Sequence, residues 1–223
     1  MSQRLVFADA HAAADALTFA GRTAPLGDGA VRLSAQNGIL AMTSAPLAPR
    51  GLFDATPTIL GMRVLGVDPE LVCDVVVEAT RLALAPDDAR AVVLPETGLS
   101  PSWAGISPPR SGWTPAPPLA AAVLASRAQW GIAEVAESVP NDAGEDAVRA
   151  VRAAVWGRHD EALDGLPLGT AFAAFALGFI GGEEEAQVRT AGSWTRVTLA
   201  RGHVIVRGPA RVGLTDVRTT GAG

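Results

Sequence analysis

The chain has 223 residues, 48% of them hydrophobic and 18% charged, and a net charge of −5. That much apolar surface builds a packed core and excludes a wholly disordered chain, while the acidic balance argues against nucleic acid as a partner. All 18 basic residues are Arg, so P-loop, Schiff-base and pyridoxal-phosphate chemistries that need Lys are excluded.

From the N-terminus, RLVFA (4–8) is a short apolar run, after which Asp9 caps a predicted helix that stops at Gly21. AVRLSAQNGILAMTS follows, and Asn37-Gly38 is the favoured pair for a two-residue type I′ turn, so Gln36 should oppose Ile39 and Leu33 should oppose Met42. TILGMRVLG and LVCDVVVEA predict a second hairpin around VDPE, with Leu60, Met62 and Val64 meeting Val77, Val75 and Cys73, and Arg63 meeting Asp74. ARAVVLPE from Ala89 is a further strand. Residues 1–98 are therefore expected to form an α+β domain, an antiparallel sheet with at least one helix.

Cys73, the only cysteine, can form neither an internal disulfide nor a cysteine metal cage, and its apolar neighbours mark it as a buried hydrophobe. This fits a reducing, cytoplasmic setting. The N-terminus lacks a secretory signal pattern, and the longest apolar run, AFAAFALGFI (171–180), is too short to span a membrane, so no membrane association is expected.

LSPSWAGISPPRSGWTPAPP (99–118) holds six of the 16 prolines and two of the five tryptophans. It lies where period-2 patterning gives way to helical patterning, the place for an interdomain strap. Two exposed indoles would forgo a large burial, so Trp103 and Trp113 are the expected anchors of a strap packed across both domains.

Beyond it, a helix is predicted to start near Pro118, and a second follows Asp142, with Glu145 three residues on in a capping-box-like pattern. GTAFAAFALGFI reads as a third, nearly all-apolar helix. AQVRTA, WTRVTLA and HVIVRG then form a β-meander. Three helices followed by a meander over residues 119–208 resemble a winged-helix domain in element order, which does not fix function. The predicted units are 1–98, the strap at 99–118, a helical domain with its meander at 119–213, and a flexible tail at 214–223.

Charge is uneven along this organisation: residues 186–223 carry a net +5 and residues 1–185 a net −10. If Arg189 faces Arg196 and Arg196 faces Arg207, one meander face carries all three guanidiniums beside Trp194 and His203. Adjacent like charges destabilise a sheet unless compensated, and guanidiniums beside an indole suit a phosphate, a carboxylate or an acidic protein surface. Compensation at home would come from Glu183, Glu184 and Glu185 or from the acidic first domain.

Other candidates are weaker. His11 beside Asp9 and Asp15 fits a solvated helix turn, and His159, Asp160, Glu161 and Asp164 fit a polar loop. Asp74 and Glu78 share a strand face roughly 13 Å apart, too far for a two-carboxylate hydrolase. No metal site and no cofactor is implied.

The leading functional expectation is thus a non-catalytic interaction module that presents Arg189, Arg196, Arg207, Trp194 and His203 to an acidic partner or small anion. Two alternatives stand beside it: an enzyme with an interdomain cleft drawing on His159, Asp160 or His203, and a winged-helix regulator. The apolar third helix offers no side chain for base edges, which weighs against the regulator. Homo-oligomerisation is compatible with the tryptophans and long apolar runs.

Overall fold

The computed structural model describes residues 4–51, 53–140 and 142–208. Residues 214–223, expected as a tail, lie outside them.

Strand β1 (Arg4–Val6) leads into α1 (Ala10–Thr23), whose N-cap Asp9 accepts the Ala12 amide at 2.8 Å. The helix runs two residues past Gly21. β2 (Ala30–Gln36) and β3 (Ile39–Leu47) form the Asn-Gly hairpin with Gln36 opposite Ile39 and Leu33 opposite Met42. Asn37 (φ 53°) and Gly38 (φ 78°) supply the left-handed conformations that a type I′ turn requires.

β4 (Thr58–Gly66) and β5 (Cys73–Glu78) do not form the expected hairpin. β4 takes the free edge of β3, and β5 crosses to the free edge of β2, with Ala35 opposite Cys73 and Leu33 opposite Val75. The connection passes over the first hairpin's turn, where the Val67 amide donates to Gly38 O at 2.9 Å. Alternation fixes which side chains face the core, not which strand lies alongside. The predicted Arg63–Asp74 pair is therefore replaced: Arg32 holds Asp74 through two 2.7 Å bonds, and Arg63 on the opposite face reaches Asp15 of α1.

β6 (Ala83–Ala85) and β7 (Asp88–Val93) join β1 in a small sheet ordered β1-β7-β6. β8 (Thr114–Ala120) contains Pro115, Pro117 and Pro118, so α2 (Ala121–Ser138) starts later than expected. α3 (Glu145–Gly157) is capped by Gly144 without a side-chain bond, not by Asp142. α4 (Gly169–Ala176) stops short of Ile180 because Gly178 turns left-handed (φ 70°) and sends Phe179 back to stack on Phe19 at 6.1 Å.

β9 (Glu185–Ala191), β10 (Trp194–Leu199) and β11 (Gly202–Arg207) complete an antiparallel sheet of eight strands, ordered β5-β2-β3-β4-β11-β10-β9-β8. This order is palindromic: β2-β3-β4 is mirrored by β9-β10-β11, and the two sets meet in the β4–β11 pair. The meander is thus the second half of a continuous sheet and not a projecting wing. α4 is buried against that sheet, with Gly169, Thr170 and Ala171 all buried, and among the described residues no winged-helix unit forms.

One sheet face holds the main core under α1, α2 and α4, built from Leu33, Leu40, Met42, Ile59, Val197, Val204 and their neighbours. The other holds a smaller cluster of Leu60, Val76, Trp194 and Ile205 covered by Trp103, Ile106 and Trp113. The Pro-rich stretch therefore crosses the sheet from edge to edge. Leu99 N bonds Val76 O of β5 at 2.7 Å at one end, and the chain becomes β8 at the other.

Candidate functional site

The β9–β10 register places Arg189 directly opposite Arg196, as the alternation predicts. The β10–β11 register differs by two residues: Leu199 pairs Gly202, so Arg196 faces Ile205 and Arg207 faces Trp194. Two contacts fix this turn. Ala200 N donates to Glu184 Oε2 at 2.9 Å, and Phe179 occupies the space a side chain at Gly202 would need. A shift of two preserves the side-chain face, so Arg189, Trp194, Arg196, His203 and Arg207 still share one surface.

Arg196 stacks over the Trp113 ring at 4.7 Å and Arg207 over the Trp194 ring at 5.5 Å. The Arg196 Nε is buried without a hydrogen-bond partner among the described residues. Alternation alone could not reveal Trp113 in this cluster, because it shows a face and not what lies over it. Among the described residues no carboxylate pairs with Arg189, Arg196 or Arg207. Glu184 is committed instead to the amides of Gly181 and Ala200.

His203 shares its Nδ1 with the Thr198 hydroxyl at 3.0 Å. Burial pushes its pKa down, and the positive charges of Arg196 and Arg63 push it further the same way. It is a neutral, half-buried member of the face, with Trp194 buried beneath Arg207.

The two strap indoles are bonded differently, Trp103 to the loop before β2 and Trp113 within the strap itself. Trp103 Nε1 donates to Asp28 Oδ2 at 2.8 Å, Trp113 Nε1 donates to Pro109 O at 2.9 Å, and Arg32 donates to Ala104 O at 2.8 Å.

The remaining candidates are not brought together. His11 is exposed in the first turn of α1. His159 Nδ1 contacts Gly165 O at 2.6 Å, while Asp160 takes Arg127 Nε at 2.8 Å and the Ala162 amide. Among the described residues no group of three His, Cys, Asp or Glu could hold a metal ion. Burial pushes the Cys73 thiol up, which makes it a poor nucleophile.

A cleft of about 560 Å³ opens between the end of β3, the strap and the α2–α3 pair. Trp103, Trp156 and Phe172 line it, together with Arg50, Arg149 and Arg152, and neither His159 nor His203 reaches it.

Residues 1–105 match the family model described as Domain of unknown function (DUF8010), and residues 108–211 match Domain of unknown function (DUF8185). The two matches meet inside the strap. No curated protein matches the chain. Among solved structures, it is similar to the DNA polymerase sliding clamp from Caulobacter crescentus, at 12% identity and a TM-score of 0.47, over 99% of this chain and 69% of the clamp's. It is also similar to the DnaN sliding clamp of Bartonella birtlesii bound to griselimycin, at 12% identity and a TM-score of 0.49, over 96% of this chain and 67% of that one. At such identity no residue of those clamps is carried across. Among the described residues no helix is long and apolar enough to cross a membrane.

Proposed function

We propose that this protein is a non-catalytic binding module that takes an acidic protein surface or a small anion on its Arg189–Arg196–Arg207 face. One observation carries the reading: Arg189 and Arg196 stand opposite each other, and among the described residues neither they nor Arg207 has a carboxylate partner. Like charges at opposed positions are unfavourable in the free protein, and an anion seated between them relieves the repulsion. Trp113 and Trp194 position two of the guanidiniums by stacking, so less rotamer freedom is lost on binding.

Neutral His203 adds no charge, and the contacts fall to Arg189 and Arg207 on either side of the Trp113-clamped Arg196. A thermal-shift titration with inorganic phosphate and with poly-glutamate tests this, because a ligand of the folded state raises its melting temperature. Stabilisation by either anion in the parent protein, lost in Arg189→Ala/Arg207→Ala, is the expected result. No shift with either anion, or an equal shift in the double variant, would overturn it.

A further inference from the structure

The cleft beside the strap has a chemistry of its own, and it shares no residue with the Arg189–Arg207 face. Its floor is aromatic: Trp156 stacks on Phe172 with centroids 4.3 Å apart, and the Trp103 ring is fixed by its bond to Asp28. Ile132, 41% exposed, also lines it. A volume of about 560 Å³ lies within the range of small-molecule sites, roughly 300–1,000 Å³.

The rim decides the ligand's charge. The lining holds three carboxylates and three guanidiniums, and each carboxylate already accepts from a protein donor, so the groups left open to a ligand are guanidiniums. Asp28 accepts Trp103 Nε1 and the Ala30 amide, Asp54 accepts the Arg50 and Thr56 amides, and Glu145 pairs with Arg149. The Asp54 pKa is lowered, first by the Thr56 side chain and then by the Arg50 amide, which keeps it ionised and occupied. Against these, Arg50 and Arg152 form no salt bridge among the described residues, although the Arg50 charge helps to lower the Asp54 pKa. Arg149 sits one helical turn before Arg152, and its partners Glu145 and Asp146 are 88% and 94% exposed, so an incoming anion can displace them.

We infer that this cleft binds a small amphipathic organic anion. Its aliphatic or aromatic body lies on Trp156, Phe172 and Trp103, and its carboxylate, sulfonate or phosphate head is held by Arg152 and Arg50. A neutral apolar solute would leave the guanidiniums unused, an inorganic anion would leave the aromatic floor uncovered, and a cation would find every lining carboxylate already bonded by a protein donor.

The test uses octanoate below its micellar concentration, 1-octanol as a neutral isostere and naphthalene-1-sulfonate as an aromatic arm, read by tryptophan fluorescence and thermal shift. Saturable binding of at least one anion, tighter than octanol, is expected. Arg50→Gln/Arg152→Gln should weaken that anion at least about tenfold and leave octanol unchanged, tenfold being the loss expected for a single charge-assisted contact. Ala153→Leu, which narrows the cleft without touching its charge, should weaken anion and alcohol together. Arg189→Ala/Arg207→Ala should change neither, so failure here and failure of the strand-face reading are separable. Neither anion binding tighter than octanol, indifference to Arg50→Gln/Arg152→Gln, or loss of binding in Arg189→Ala/Arg207→Ala would each overturn the inference.

Discussion

At the scale of single residues, His203 makes the fold sensitive to mild acid. Its folded-state pKa lies below the ordinary value near 6.5, chiefly through burial and then through Arg196 and Arg63. The folded state therefore binds fewer protons than the unfolded one. Its stability is full above about 6.5 and falls as pH drops through that value. Urea unfolding at pH 7.5 and 5.5 should show this fall, and His203→Gln should reduce it; an unchanged difference would contradict the assignment. Asp74, lowered first by its bond to Arg32, acts only at more acidic pH, where its contribution is lost as it protonates. Trp103 is the second test at this scale: Trp103→Ala should cost about 3–5 kcal/mol in denaturant unfolding, and Trp103→Phe less, since it loses mainly the bond to Asp28. The shared face of Arg189, Arg196 and Arg207 was legible because side chains alternate with period two. The stacking of Arg196 on Trp113 was not, because it joins residues 83 positions apart that no local pattern connects.

At the scale of elements, legibility followed the range of the determining interaction. The β2–β3 hairpin is fixed by Asn37 and Gly38 within four residues, and its pairing matches the expectation throughout. Gly38 has nothing closer than 3.6 Å to an added Cβ, so Gly38→Ala should cost about 1 kcal/mol through its positive φ alone, measured by chemical denaturation. The β4–β5 pairing failed because both strands alternate correctly for several partners, and the choice fell to the free edges of β3 and β2. The late start of α2 has a similar cause. Pro117 and Pro118 suit a first helical turn, yet they also suit an edge strand, and β8 is the edge of the large sheet. Replacing Pro115, Pro117 and Pro118 with Thr should restore edge donors and raise self-association in sedimentation velocity. An unchanged monomer fraction would show that the prolines do not guard this edge.

At the scale of the whole molecule, the antiparallel β4–β11 pair joins the segments matched by the two family models into one sheet, and the strap crosses its outer face. Local periodicity marks the change of pattern near residue 99 but carries no information on a pairing between residues about 140 apart. A continuous sheet predicts one cooperative transition with equal calorimetric and van't Hoff enthalpies, and two resolved transitions would show that the halves fold separately. The palindromic sheet also explains how the Arg face is built: β9, β10 and β11 present it, β4 supports it, and the strap delivers Trp113 onto it. The measurement that bears most directly on this account follows the arginine Nε–Hε resonances by NMR while poly-glutamate is added. Shifts that saturate at Arg189 and Arg207, with those of exposed arginines such as Arg110 unchanged, are the predicted result. Uniform small shifts across all arginines, or none at Arg189 and Arg207, would contradict a binding face on these strands.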